Sequence, residues 1–516
     1  MSISVLLSVG LLLWVATLCA RKRFKHPLPP GPRKLPLIGN LLDVPATFQW
    51  ETYARWGREY ESDIIHLSLP GESMIVLCSW EATDALLDKR SAIYSDRADT
   101  PMLTDLMGWD FNIGEHFSWQ LFGATRRIHR RLFNERFNIR ASRKYEPHQQ
   151  RASRKLLKRL LTTPNDFLVH FRQMTSEIIL SMTYGIDVLP LNDPYIAMAE
   201  KALHGFAIAA IPGLYLVDMF PILKYIPTWF PGAQFKRQAR EWRKQTRGMV
   251  ELPFSETKRQ MELGTATSSY TADYLSALSE NPHRAFYQEH DIQDTAGLML
   301  AAGSDTITST LGTFVLAMLA NPESQKQAQA EIDSVTSGEA LPTFEDRGSL
   351  PYVSALVKEV LPWKNVTPFG VPHRLMVEDN FRGYRLPAGS LVIGNAWALL
   401  HDEKMYPDPH AFKPERFLLN GRLNPAVRDP EAAFGFGRRQ CPGKHMATSS
   451  LWITVASILA TFDITKAIDS DGRVIEPSYE YLSGSISAPL PFKCFINPRS
   501  HRAVALIQAI DLKDSL

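Results

Sequence analysis

The ten residues Phe434-Gly435-Phe436-Gly437-Arg438-Arg439-Gln440-Cys441-Pro442-Gly443 constrain this chain more than any other stretch. Their glycines permit tight backbone turning and close approach to a flat ligand. The apolar run that follows, Met446 to Phe462, predicts a helix, so one cysteine is presented between a turn and a helix start. The free N–H groups and dipole at that start would stabilise negative charge on sulfur, which suits Cys441 to be an anionic metal ligand. A lone cysteine is more often a small buried apolar residue. Its setting separates Cys441 from Cys19, Cys78 and Cys494.

At 516 residues the chain exceeds the roughly 250 to 300 residues of a usual single core, yet no Gly/Ser or low-complexity linker and no repeat divides it. One large catalytic domain over 37–516 fits better than two. A net charge of +3 with 22% charged residues gives no global case for binding nucleic acid. The cysteines lack C-x-x-C spacing, which argues against a zinc motif or disulfide scaffold and for a reducing, cytosol-facing setting.

Met1 to Ala20 carries no charged side chain and is long enough to cross a bilayer as a helix, with Trp14 at an interfacial position. Arg21, Lys22, Arg23 and Lys25 follow, and the positive-inside tendency places them and all that follows in the cytoplasm. A cleaved signal peptide would carry its charge before the apolar run. The expectation is a single-pass transmembrane anchor at 1–20 and a basic, Pro-rich hinge at 21–36. Within that hinge, Pro27-Leu28-Pro29-Pro30-Gly31-Pro32 acts as a stiff spacer.

Helical periodicity dominates the middle of the chain, while short β signals fall at Asp63 to Cys78, Arg382 to Leu400 and the C-terminal region. The class is mainly α with small β-sheets. Asp291 to Ala320 is the longest helix candidate, closed by Asn321, with Pro322 opening the next. Ile208 to Gly232 is apolar and aromatic but broken by four prolines, a patch that is either core or membrane-facing.

In the long helix Leu298, Ala302 and Thr306 are four residues apart and share a face that Gly303 thins. Thr306 can bond the Ala302 carbonyl, and Asp305 can hand protons inward from solvent. Phe434, Gly437, Arg439, Cys441 and Gly443 match the haem-binding signature of the cytochrome P-450 monooxygenases, and Ala302-Gly303-Ser304-Asp305-Thr306 resembles that family's acid–alcohol motif. The resemblance implies the cytochrome P-450 fold and haem b (heme b) with Cys441 as the metal ligand. It further implies Asp305 and Thr306 as the catalytic proton-delivery pair, with Ala302, Gly303 and Gly443 along the cofactor. Haem propionates need cationic partners, and Arg130, His373 and Arg439 resemble the family's propionate ligands.

The same resemblance implies NADPH-cytochrome P-450 reductase as electron donor, met by the basic run Arg126 to Arg131. It also implies an apolar small-molecule substrate, contact of Ile208 to Gly232 with membrane lipid, and residence at the endoplasmic reticulum membrane facing the cytosol. Leu106-Met107-Gly108-Trp109, Leu223 to Gly232 and Asn424 to Pro430 are similar to fungal secondary-metabolism members, of the O-methylsterigmatocystin oxidoreductase and basidiomycete tryptamine 4-monooxygenase kind. Hydroxylation of a terpenoid or aromatic natural product is the expected chemistry.

Two positions depart from the family pattern. Glu359 and Pro414-Glu415-Arg416-Phe417 are present, but Pro362 stands where a Glu-x-x-Arg pair has arginine. Trp is expected four residues before Arg130; Arg126 is there, and Trp119 is displaced by seven positions. These departures motivate a rival reading, an inactive or haem-poor homologue serving as a membrane-bound binding or scaffold protein. The Asp305-Thr306 pair weighs against a third, a haem isomerase or dehydratase needing no external electrons.

Overall fold

The computed structural model describes residues 26–111, 119–190, 192–211 and 214–510, and only the backbone of 119–124 and 126. The expected anchor at 1–20 and its basic flank lie outside the described residues. Among the described residues no helix is long and apolar enough to cross a membrane.

Helices α1 (Gln49–Glu59), α2 (Trp119–Phe137), α3 (Glu146–Thr162), α4 (Phe167–Tyr184), α5 (Pro194–Ala209), α6 (Gln234–Glu262) and α7 (Tyr270–Glu280) precede the longest one, α8 (Glu289–Ala320). Then come α9 (Pro322–Thr336), α10 (Pro351–Trp363), α11 (Lys444–Thr461) and α12 (His501–Gln508). Helix α8 runs through the core and packs on α2, α4, α6 and α11. It starts two residues before the expected Asp291 because Gln288 and Asp291 form a reciprocal capping box around its first turn. It ends at Asn321, and Pro322 opens α9, as the sequence predicts. Leu311, Phe314, Trp452 and Ile453 are fully buried where α8 and α11 join one large core.

The sheets are small and peripheral. Strands β1 (Ile64–Leu69) and β2 (Glu72–Leu77) form the hairpin predicted at Asp63 to Cys78. They share a sheet with β3 (His373–Arg374) and, beyond the two-stranded ribbon β4 (Asp379–Phe381) and β5 (Tyr384–Leu386), with β6 (Leu391–Gly394). The order is β1-β2-β6-β3, with β2 and β6 parallel. Strands β7 (Leu418–Leu419) and β8 (Arg422–Leu423) make a minimal hairpin, and β9 (Phe462–Lys466) pairs with β10 (Cys494–Pro498).

Three expectations are corrected. The β signal at Arg382 to Leu400 ends early, because the Asn395 side chain caps a helical turn at Ala396–Leu400 by accepting from the Ala398 N–H at 3.2 Å. Helix α11 begins at Lys444 and stops at Thr461, with Phe462 already in β9. The Pro-rich segment is not a free spacer from Pro27 onward: the Pro30 carbonyl accepts from His66 N–H at 2.9 Å and the Pro27 carbonyl from Arg385 N–H at 2.7 Å. Proline lacks a donor but keeps its acceptor, so this strip docks along the strands.

Candidate functional site

Two single-turn 3-10 segments, Glu431–Phe434 and Gly437–Arg439, fold the Gly-rich stretch into a loop that the Cys441 N–H closes by donating to the Phe434 carbonyl at 2.7 Å. Gly437 has φ +50°, and a Cβ there would lie 2.1 Å from the Leu87 carbonyl oxygen, so no other residue fits. Gly443 caps α11. Cys441 has exposed surface, and burial among surrounding atoms is the leading cause that pushes its thiol upward. The Gly443 N–H, Arg130 and Lys444 oppose that rise and favour the thiolate.

The three candidate propionate partners come from α2, from the loop itself and from β3. Arg130 of α2 donates from Nη1 to the carbonyl of Gln440, next to Cys441, at 2.9 Å. Arg439 donates from Nε to Ser95 O at 2.7 Å. His373 of β3 is buried, and its Nδ1–H donates to the adjacent carbonyl, Tyr94 O, at 2.7 Å. Burial, then Arg97 and Arg439, hold its imidazole neutral, well below the usual range. Arg97 was not singled out by any sequence motif. It is buried, and its Nη1 donates to Val371 O and Pro372 O, both at 2.8 Å, pinning the 94–97 segment to the strand that carries His373.

On α8, Ala302 is exposed and Leu298 and Thr306 are partly so, while Met299, Leu300, Ala301, Ser304 and Ile307 are buried. The accessible stripe is thus the predicted 298/302/306 face. Thr306 Oγ1 donates to Ala302 O at 3.0 Å as expected. Gly303 has a different use from the one its position suggests: a Cβ there would come 1.8 Å from Ile179 Cδ1, so its smallness lets α4 approach α8. Asp305 Oδ1 lies 3.5 Å from Arg172 Nε of α4, and Arg172 lies 3.4 Å from Glu200 of α5. Burial raises the Asp305 carboxyl, Arg172 lowers it and Glu200 adds to the rise. Arg172 is 44% exposed, so this chain of charges connects Asp305 to solvent.

Glu359 and Arg416 form a buried pair, with Arg416 Nε 2.9 Å from Glu359 Oε2. Burial raises the Glu359 carboxyl, and Arg416 and the Lys413 N–H, 2.9 Å from Oε1, lower it. Arg416 also donates to the carbonyls of Pro407, Asp408 and Ala411. Pro362 sits in the last turn of α10, where a missing N–H costs less than mid-helix. Backbone groups therefore brace both partners of the pair.

Of the basic run, Arg127 and Arg131 are exposed; the side chains of Trp119 and Arg126 lie outside the described ones. The apolar Ile208 to Gly232 segment presents much of its side-chain surface outward: Ile222 is 72% and Trp229 78% exposed, with Leu216, Phe220 and Tyr225 also out, while Ala209 and Val217 join the core. A separate cleft of about 440 Å³ at the β1–β2 turn, lined by Glu72 and Arg374 among others, contains none of the candidate residues.

The residues present suit a thiolate-bound haem. A soft sulfur donor stands at an accessible loop, a stripe with a small residue at its centre is left open on the central helix, and the Arg130 guanidinium, a group that matches carboxylates, lies near the sulfur.

A family model described as Cytochrome P450 matches residues 29–492. The chain is 44% identical, over 98% of its length and 95% of the relative's, to cytochrome P450 monooxygenase ple1 of Rhodocybe pseudopiperita. It is 46% identical to cytochrome P450 monooxygenase 98 of Postia placenta, over 95% and 94% of the two chains. With tryptamine 4-monooxygenase of Psilocybe cyanescens the identity is 40%, over 93% and 95%.

Proposed function

The chain belongs to the cytochrome P450 family and is a haem-thiolate monooxygenase, and on that premise we propose that Cys441 ligates the iron of haem b in an enzyme that hydroxylates an apolar natural product. The observation that carries this is the Cys441 thiol, accessible within the fold and flanked by the Gly443 N–H and Arg130. Bound haem supplies oxygen binding and activation; the protein supplies the ligand, the cations and the protons.

Arg130, Arg439, Arg97 and His373 hold the propionate edge. A carboxylate brought to His373 Nε2 would raise that ring's affinity for a second proton, turning a neutral histidine into a donor where it is needed. Gly443 supports the sulfur, and Ala302 leaves room above it, with Gly303 setting the helix depth. Asp305 takes protons from the solvent side at Arg172 and passes them to Thr306, whose hydroxyl sits one turn from Ala302. Thr306→Ala and Asp305→Asn are expected to keep the haem spectrum while NADPH oxidation yields less product and more peroxide. Unchanged coupling with a true substrate would remove the proton-delivery role.

The electron donor in this reading is NADPH-cytochrome P-450 reductase, met at the exposed Arg127 and Arg131. The domains in this reading are an anchor at 1–20, a basic, Pro-rich hinge at 21–36, and a catalytic domain over 37–516 at the cytosolic face of the endoplasmic reticulum. The exposed side chains of the Ile208 to Gly232 segment, Leu216, Phe220, Ile222, Tyr225 and Trp229, add lipid contact. Deleting Met1 to Lys25 is expected to reduce membrane association while leaving haem content intact, with residual binding that Ile222→Asp/Trp229→Asp removes. Haem loss on truncation, read by absorbance after purification, would make the segment part of the fold.

The similarity to fungal relatives supports a terpenoid or aromatic substrate from natural-product biosynthesis. Reconstitution with reductase and NADPH against panels of both classes tests it: products should be heavier by one oxygen. A scaffold role is not favoured, since backbone groups brace Glu359 and Arg416 despite Pro362.

A further inference from the structure

His129 and Asp291 are the most deeply buried ion-pair partners the described residues hold, with side chains 1% and 2% exposed. His129 Nε2 lies 3.0 Å from Asp291 Oδ1. The other carboxylate oxygen accepts the Gln288 N–H at 2.8 Å in the capping box of α8. Burial acts to raise the Asp291 carboxyl, but His129, the Gln288 N–H and His290 outweigh it and hold the group below its usual range. An ionised carboxylate accepts only, so Nε2 carries the proton. His290, 3.6 Å from the same oxygen, and Asp294 are the other titratable groups facing the pair.

The partners are 162 residues apart in sequence, and the pair joins the first turn of α8 to the turn of α2 that carries Arg130. Arg130 reaches the Gln440 carbonyl, one residue from Cys441. The C-terminal end of α2 is tied elsewhere, through Arg136 to Asp273 and Glu135 to Tyr274 on α7. At the turn bearing Arg130, His129 is the side chain that, among the described residues, hydrogen-bonds to the central helix. Any rotation of α2 that releases His129 swings its neighbour away from the cysteine loop.

We infer that His129 and Asp291 are positioning residues that fix the rotation of α2 and so hold Arg130 against the Gln440 carbonyl at the cofactor edge. This rests on the reading of Arg130 as a haem-holding residue.

The test is the rate at which purified holoenzyme surrenders haem to excess apo-globin, measured in a double-mutant cycle. Arg130→Ala should speed haem loss about tenfold. His129→Leu/Asp291→Leu exchanges the buried pair for apolar side chains, a replacement often neutral for stability, and should speed loss similarly without adding to the effect of Arg130→Ala. The milder Asp291→Asn runs the same cycle if the apolar variant does not fold, with about a threefold effect, again absent on Arg130→Ala. General destabilisation would instead multiply the two effects. Multiplied effects, or pair variants with parental haem retention while Arg130→Ala loses haem, overturn the inference and leave the Arg130 reading standing. Unchanged haem loss in Arg130→Ala overturns both.

Discussion

Cys441→Ala is expected to abolish the thiolate–haem absorption spectrum completely, the largest single effect any substitution in this chain should produce. In the proposed reading this sulfur is the protein's bond to iron, and no other described cysteine has a comparable setting. Cys78 is pushed up to about 12 by burial and its sulfur contacts the Tyr53 carbonyl in a satellite core. Cys494 is likewise pushed up to about 12 and faces inward from β10. At Cys78 the Asn395 amide and the Arg58 guanidinium favour the thiolate but burial outweighs them, and at Cys494 burial acts alone. Absorbance of the purified variant reads the outcome, and a normal thiolate spectrum would transfer the ligand role away from Cys441.

The second large effect lies at Glu359. Glu359→Ala leaves the Arg416 guanidinium buried with carbonyl partners but no counter-charge, a change typically worth about 3–5 kcal/mol. Melting temperature and haem content should fall together. Pro362→Arg should act in the opposite direction by about 1.5–3 kcal/mol, the worth of a hydrogen bond to a charged group. It places a donor three residues after Glu359 on the same helix face. That gain should vanish in the Glu359→Ala background, whereas relief of a general proline effect would survive there. A neutral or harmful Pro362→Arg would mean that the Lys413 N–H and the carbonyls around Arg416 already complete the brace.

What the sequence made legible was local. The Gly-rich loop, the helix after it, the β1–β2 hairpin and the α8–α9 boundary are each specified by residues within a few positions, through turn glycines, caps and periodicity. The Thr306 bond to Ala302 is of the same kind, an i to i−4 contact within one helix. Contacts set by tertiary approach were not legible. Gly303 reads as an opening toward a cofactor until Ile179 of another helix is found against it. Arg97 sits in no motif, and its role follows from carbonyls 274 and 275 residues away. His129 was visible as part of a basic run, but nothing near it in sequence announces Asp291. Pro362 looked like a broken network because the backbone groups that support Glu359 and Arg416 carry no side-chain signature.

The ferrous carbon-monoxide difference spectrum of the purified full-length protein tests the central claim most directly. A Soret band at the long-wavelength position diagnostic of thiolate-ligated haem is the expected result, present in the parental chain and absent in Cys441→Ala. A chain that folds and melts cooperatively but shows no such band, or shows the short-wavelength band of a haem without thiolate, would contradict it.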